Sequence, residues 1–141
     1  FGPAPAGLFD LLAETLDHLA ARTPGPAFLP RFELRLLREL GLAPDWDRCG
    51  KCRADLRGGG GARMDVAHGA LLCPACGADR GAAVSPAALA ALRAMQGATL
   101  PAALPERVFR EVRALAGGLL EHHADLDPRA RAVAFQVLAA G

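Results

Sequence analysis

Cys49-Gly50-Lys51-Cys52 and Cys73-Pro74-Ala75-Cys76 are the two segments that organise this chain, and 20 residues separate the second cysteine from the third. Two residues between cysteines let both sulfurs of a tight turn converge on one ion, and two such turns complete a tetrahedral shell. The spacing predicts one Zn²⁺ bound by Cys49, Cys52, Cys73 and Cys76. Because four sulfurs leave no coordination position for water or substrate, we expect a structural ion and no enzymatic activity.

Other uses of these thiols fit the sequence less well. A secreted disulfide framework is disfavoured because the chain opens on Phe1-Gly2-Pro3, without a charged leader or an apolar signal core. A redox Cys-x-x-Cys motif usually occurs once, after a strand and at the start of a helix. His68 lies between the two pairs, but four sulfurs already fill the shell, so we expect it to be a surface or hairpin histidine.

The composition favours one ordinary core carrying a small metal-stabilised module. The chain has 141 residues, of which 52% are apolar, and no apolar run is long enough to span a bilayer. Lys51 is the single lysine, so arginine carries nearly all the positive charge. That bias fits phosphate binding or codon bias equally well. The net charge of +1 gives no global argument for nucleic acid, so any such binding must come from local patches.

Helical periodicity and helix breakers predict a mainly α-helical fold, a helical bundle into which the Cys₄ zinc module with a short β-hairpin is inserted. The predicted helices cover residues 8–19, 30–40, 87–96, 105–123 and 128–138. In the first helix, we expect an apolar face formed by Leu8, Phe9, Leu12, Leu16 and Leu19. Its acidic outer face is expected to carry Asp10, Glu14 and Asp17. The predicted regions are 1–47, 48–80 and 81–141.

The second predicted helix carries arginines along one face. Arg31, Arg35 and Arg38 follow the i, i+4, i+7 spacing, and Gly41 is placed to end the helix in a left-handed cap. Glu33 falls among the apolar side chains. Either the helix dipole or a buried arginine partner would stabilise it there.

The other glycine and histidine motifs favour structural roles over phosphate or metal binding. Residues 58–61 are four glycines and predict a mobile loop, since no Lys-Ser/Thr follows them as in a phosphate-binding loop. A hairpin over 62–66 and 69–72 follows. Gly117-Gly118 predicts close packing or a bend within a long helix. In the pair His122-His123, neighbouring side chains point about 100° apart, so a shared metal site is disfavoured.

A series of segments resembles the RecO family of bacterial DNA repair proteins. The segments are Phe32-Glu33-Leu34-Arg35-Leu36-Leu37-Arg38-Glu39-Leu40-Gly41, then Pro44-Asp45, both Cys-x-x-Cys pairs, Gly69-Ala70-Leu71-Leu72 before the second pair, and Leu89 to Leu92. The resemblance covers about residues 5–123. It is specific because the helix motif and both cysteine pairs occur in order.

The resemblance implies a recombination mediator of the RecFOR pathway, cytoplasmic and associated with the nucleoid. Family members have an N-terminal oligonucleotide-binding barrel, a helical region and a zinc finger. They bind single- and double-stranded DNA, anneal complementary strands, associate with RecR and single-strand-binding protein, and help load RecA. We expect this chain to be the helical and zinc-finger portion without the barrel, and we expect no membrane or small-molecule substrate.

The residues themselves allow two interpretations of the arginines. Arg31, Arg35, Arg38, Lys51 and Arg53 are the expected DNA-binding residues, which would contact phosphates without sequence preference. We expect no aromatic residues to interleave with these charges, and therefore no base stacking. Alternatively, the arginines solvate a helix face and pair with Glu39, Asp45, Asp47 and Asp55. A second function is a protein-interaction module that binds single-strand-binding protein or RecR in grooves lined by Leu36, Phe109 or Leu119.

Overall fold

The computed structural model describes residues 6–97, 104–124 and 127–140, and the predicted helices are present there. Within these ranges lie five helices and three strands: α1 Ala6–Ala21, α2 Phe28–Glu39, β1 Ala62–Asp65, β2 Ala70–Leu72, β3 Ala82–Val84, α3 Pro86–Ala94, α4 Glu106–His123 and α5 Pro128–Ala140. The prediction of a mainly α-helical fold is confirmed. The connection between the predicted helices at 87–96 and 105–123 contains Pro101, which lies outside the described residues.

Local sequence signals set the ends of α2 and α3. At the end of α2, Gly41 adopts φ 74°, and the amide of Leu42 donates to the carbonyl of Leu37 at 2.8 Å, which closes the turn. At the start of α3, the Ser85 hydroxyl accepts from the Ala88 amide at 3.1 Å. Such a cap satisfies one of the amides that a helix leaves without an intrahelical partner.

The predicted hairpin is present, and a third strand extends it. Strand β1 pairs antiparallel with β2 and with β3, so the order is β2-β1-β3. Strand β3 was not predicted, because its three residues follow a glycine and carry no alternating pattern. The side chain of Arg63 draws this segment to β1 by donating to the carbonyls of Arg80 and Gly81, at 2.8 and 2.7 Å.

One hydrophobic core joins α2, the cysteine-rich segment, the sheet, α3 and α4. Among its fully or nearly fully buried members are Leu34, Leu37, Cys49, Leu56, Met64, Leu71, Leu89, Leu92, Met95, Val112 and Leu119. The cysteine-rich segment is thus packed onto the helices rather than tethered to them. The division into three regions at 47 and 80 stays a prediction.

The expected inward apolar face of α1 is wrong. Phe9 is 68% exposed and Leu16 is 66% exposed, while Leu12 and Leu19 are also largely in solvent. Leu11, which was not among the expected residues, is the α1 side chain in the core, at 2% exposure. The reason is that α2 packs on the side of α1 that carries Leu11 and Glu14.

No helix in the described ranges is both long enough and apolar enough to cross a membrane.

Candidate metal centre and nucleic-acid interface

Four cysteine sulfurs meet at one point between two turns, which we call the first knuckle (residues 49–53) and the second knuckle (residues 73–77). The Sγ atoms of Cys49, Cys52, Cys73 and Cys76 all lie within 4.8 Å of one another. The distance from Cys52 Sγ to Cys73 Sγ is 3.8 Å. A tetrahedral ion with metal–sulfur distances of about 2.3 Å requires sulfur separations of about 3.8 Å, whereas a disulfide requires about 2.0 Å. The four thiols are free, and their arrangement fits a metal ion.

Backbone hydrogen bonds shape each knuckle. In the first, the Lys51 amide points at Cys49 Sγ, 3.4 Å away, and Arg53 closes the turn with φ 64°. In the second, the Cys76 amide points at Cys73 Sγ, also 3.4 Å away. Amide donors aimed at sulfur stabilise its anionic form, which is the form that binds a metal.

The sheet holds the two knuckles together. The Gly50 amide donates to the carbonyl of Leu71 at 2.7 Å, so the first knuckle is bonded to strand β2. Strand β2 ends at Leu72, immediately before Cys73. The hairpin therefore carries the second cysteine pair back to the first, although 20 residues separate them in the sequence.

The acid–base properties of the thiols favour a cation among them. Burial raises the pKa of Cys49, but hydrogen bonds from the amides of Cys52, Cys73 and Lys51 outweigh it and lower the pKa to about 6. By contrast, the neighbouring thiols, first Cys73 and then Cys52, raise the pKa of Cys76 to about 12. Four thiolates this close together repel one another, so the complete set ionises only when a divalent cation joins it.

His68 lies apart from the sulfur cluster. Its side chain is 73% exposed, and Nδ1 lies 2.8 Å from Asp65 Oδ2. The Asp65 carboxylate also accepts from the His68 amide. His68 is therefore a surface residue of the hairpin, as predicted, and its contacts with Asp65 fix the turn.

The two adjacent histidines of α4 have different surroundings, but their rings contact each other edge to face with centroids 4.8 Å apart, which the predicted divergence of the side chains did not anticipate. His123 Nε2 lies 2.7 Å from the carbonyl of Val66, so this nitrogen carries the proton and ties α4 to the hairpin. His122 is exposed. Because its ring nitrogen is bonded to the Val66 carbonyl, His123 has a structural role in packing α4 against the hairpin.

The three arginines of α2 lie along one groove. Arg31, Arg35 and Arg38 line it together with Glu14 from α1 and with Gln96 and Gly97 after α3. Arg31 Nη2 donates to the Gly97 carbonyl at 2.8 Å, and Arg35 Nη1 lies 2.8 Å from Glu14 Oε2. The side chain of Arg38 is 48% exposed, with Glu39 at 3.9 Å. The stripe expected from the sequence exists, and Arg35 has an acidic partner that the sequence did not reveal.

The cations of the first knuckle form a second group. Lys51 is exposed, and Arg53 Nη2 lies 3.2 Å from Asp45 Oδ2. Arg57 makes two side-chain hydrogen bonds to Asp55, at 3.0 and 2.9 Å. These contacts match two of the expected pairings.

Asp47 is paired differently from the expectation. Its Oδ1 accepts from Nε of Arg93 at 3.0 Å, and Arg93 also donates to the Trp46 carbonyl. Arg93 lies on α3, so this contact fastens the segment before the first knuckle to the helices. The knuckle arginines therefore do not use Asp47 as a close partner.

Aromatic rings lie beside the arginines, which corrects the sequence interpretation. Phe28 and Phe32 line a groove with Arg31 and Arg35, and the ring of His18 stacks on Phe28 with centroids 4.7 Å apart. The positions 28, 31, 32 and 35 follow i, i+3, i+4, i+7, so helical periodicity contained the signal.

Comparisons with known proteins identify a family and similar sequences. Residues 3–132 match the family described as "Recombination protein O C terminal". Three relatives are each named DNA repair protein RecO. The one from Anaeromyxobacter sp. (strain K) is 41% identical over 122 residues, covering 82% of this chain and 48% of the relative. The one from Myxococcus xanthus is 40% identical over 124 residues, covering 82% and 47%. The one from Moorella thermoacetica is 36% identical over 81 residues, covering 57% and 30%.

The matches cover most of this chain but only part of each relative. The chain spans about half the length of the first two relatives. No solved structure matches it significantly. The family match covers residues 3–132 of 141 and includes α2, both knuckles, the sheet and α4. This chain therefore belongs to the family of the recombination protein O C-terminal region.

Proposed function

We propose that this chain is the metal-stabilised, DNA-binding portion of a mediator of DNA repair and homologous recombination. The observation that carries the proposal is the 41% identity, over 82% of the chain, to a protein named DNA repair protein RecO. The arginine groove on α2 supports it physically, because guanidinium groups bind phosphate oxygens in a planar, two-pronged geometry.

The metal in this proposal is one Zn²⁺ held by Cys49, Cys52, Cys73 and Cys76. Sulfur separations that match a tetrahedron and a donor set of four thiols support zinc. When bound, the ion joins the two knuckles and stabilises the fold. A filled four-sulfur shell supplies no site for a reaction, so the proposed role is not enzymatic.

The proposed DNA contacts are made by Arg31, Arg35, Arg38, Lys51 and Arg53. All five lie on α2 or the first knuckle. Arg35 and Arg53 pair with the exposed carboxylates of Glu14 and Asp45, at 2.8 and 3.2 Å, which phosphate can replace. Such contacts bind single- and double-stranded DNA without sequence preference. In the cytoplasm, at the nucleoid, the complete mediator would anneal strands and act with RecR to load RecA onto DNA coated by single-strand-binding protein.

A salt titration tests the proposed DNA contacts. Fluorescence anisotropy of labelled single- and double-stranded oligonucleotides is measured from about 50 to 200 mM salt, where phosphate contacts lose most of their affinity. Replacing Arg35 and Arg38 with Glu should weaken binding to every sequence and flatten the salt dependence. The matched control replaces Arg107 and Arg110 with Glu, since these have the same spacing and are 82% and 71% exposed on α4. Equal effects of the two double variants would remove α2 from the interface.

A second candidate function is a protein-interaction module for single-strand-binding protein or RecR. The exposed apolar face of α1, above all Phe9 and Leu16, favours it. Of the residues expected to line such grooves, Leu119 is completely buried, Phe109 packs against Phe135 of α5, and Leu36 is partly buried against the core. If Phe9→Ser and Leu16→Ser abolish binding of either protein while wild-type chain binds no DNA, this second function replaces the first.

A further inference from the structure

The arginine groove of α2 already contains an anion that belongs to the protein. Glu14 Oε2 lies 2.8 Å from Arg35 Nη1, with 59% of the Glu14 side chain and 19% of the Arg35 side chain exposed. Glu14 also lines the groove that holds Arg31 and Arg38. Carboxylate and phosphate oxygens bind guanidinium through the same charge-assisted hydrogen bonds. Glu14 therefore occupies a position that a phosphate oxygen would take.

The neighbouring arginines stabilise the charged form of the Glu14 carboxylate. The hydrogen bond from Arg35, followed by the charge of Arg35, holds the pKa of Glu14 below its usual value, and the charge of Arg31 adds to this effect. Glu14 is thus ionised at neutral pH and interacts with two of the three arginines. It competes directly with any other anion for them.

Helix α1 is lightly attached, so this competitor is removable. Leu11 is the large apolar side chain of α1 that is buried, at 2% exposure. Phe9 and Leu16 are 68% and 66% exposed. Helix α2 is the element against which the described part of α1 makes its main packing. Elements with few buried contacts open at low free-energy cost. Displacement of Glu14 needs only a small shift of α1 or a rotation of its own side chain.

We propose that α1 is a built-in competitor for the nucleic-acid site, in which Glu14 binds Arg35 in the free protein and backbone phosphate displaces it. This inference rests on the proposed DNA-binding function and adds the regulation of that same site. Any event that moves α1 away from α2 then strengthens DNA binding without a new contact. An exposed ion pair is weak, so the suppression amounts to about two- to fivefold in affinity.

The test compares two neutralising substitutions on the same helix. Glu14→Gln removes the competing charge and keeps the size of the side chain, whereas Asp17→Asn makes the same charge change at an exposed position one turn away. In salt titrations with single-stranded oligonucleotides, Glu14→Gln should raise affinity about two- to fivefold. It should also steepen the logarithmic salt dependence by up to about 0.7, the value for one phosphate contact. Asp17→Asn should change both much less.

Two further variants make the result decisive. In the Arg35→Gln background, Glu14→Gln should give a much smaller gain, because only the weaker interaction of Glu14 with Arg31 remains. Glu14→Ala should reproduce the gain, which excludes a special effect of glutamine. Thermal melting of each variant verifies that the fold is retained, as expected for a side chain that is 59% exposed.

The possible outcomes distinguish a failure of this inference from a failure of the proposed DNA-binding function. If wild-type chain binds DNA but Glu14→Gln and Asp17→Asn behave alike, the competitor is overturned and the DNA-binding proposal stands. An undiminished gain from Glu14→Gln in the Arg35→Gln background also overturns it. If neither the wild type nor any Glu14 variant binds DNA at low salt, both proposals fail together.

Discussion

Glu33 of α2 and Arg131 of α5 form an ion pair that is buried on both sides, with 4% of the glutamate and 10% of the arginine side chain exposed. Arg131 Nη2 donates to Glu33 Oε1 at 2.9 Å and to the Arg113 carbonyl at 2.7 Å. The guanidinium also lies 4.8 Å from the ring centroid of Phe135, one turn later on α5. Of the two explanations for Glu33, the buried arginine partner is the one found.

Breaking this pair should be strongly destabilising. Arg131→Met leaves the Glu33 carboxylate buried without its partner, and removal of one member of a buried pair costs about 3–5 kcal/mol. Urea unfolding followed by circular dichroism measures this loss. Replacing both residues, as Glu33→Leu with Arg131→Met, should recover part of it, because no charge then remains buried.

Arg129 supplies the control for that experiment. It lies two residues before Arg131 and is exposed, so Arg129→Met changes charge and size equally without affecting a buried group. Its effect should stay within about 0.5 kcal/mol. Equal losses for the two variants would show that the pair contributes nothing specific.

The two adjacent glycines of α4 should respond in opposite ways to alanine. A Cβ at position 117 would lie 2.8 Å from Cζ of Arg131 and would push the guanidinium away from Glu33. A Cβ at position 118 would meet Val66 Cγ2 at 3.5 Å, an ordinary contact. Gly118→Ala should therefore stabilise the chain by up to about 1 kcal/mol through helix propensity, whereas Gly117→Ala should destabilise it. Stabilisation by both, measured by urea unfolding, would refute the tight fit at 117.

Removal of the metal should unfold the module formed by the knuckles and the sheet. Because Cys49 is completely buried in the shared core, the loss should also lower the melting temperature of the helices. A zinc-sensitive dye should detect one ion per chain, and X-ray absorption should give about 2.3 Å for its sulfur ligands. Cys76→Ser should bind the ion much more weakly than His68→Ala. Full zinc affinity in Cys76→Ser would contradict the four-sulfur site.

The turn of the hairpin should show an acid-dependent contribution to stability. The hydrogen bond from the His68 side chain, followed by that from its amide, holds the pKa of Asp65 below its usual value. Since the folded pKa is below the unfolded value of about 3.9, the stabilisation is complete above that value. It is lost as the pH falls through the lower folded pKa.

His68→Ala should move the pKa of Asp65 upward toward its ordinary value. NMR titration of the Asp65 carboxyl carbon measures the shift directly. His122→Ala is the matched control, because His122 is also exposed but lies on α4. An unchanged Asp65 pKa in His68→Ala would mean that the histidine does not hold the turn.

The sequence by itself determined the features that depend on neighbours along the chain. Ser85 caps α3, Gly41 ends α2, and the two-residue spacing within each cysteine pair sets its turn, because each feature needs only local geometry. The register of Arg31, Arg35 and Arg38 on one face follows from helical periodicity alone.

Only the tertiary structure decided which partners those groups meet. Glu33 and Arg131 are 98 residues apart, β3 is held in place by Arg63, and Glu14 reaches Arg35 only because α2 packs on that side of α1. The same packing leaves Phe9 exposed, contrary to its place in an apolar pattern. Periodicity states which side chains share a face, but the free energy of burial depends on what covers that face, and distant segments supply the cover.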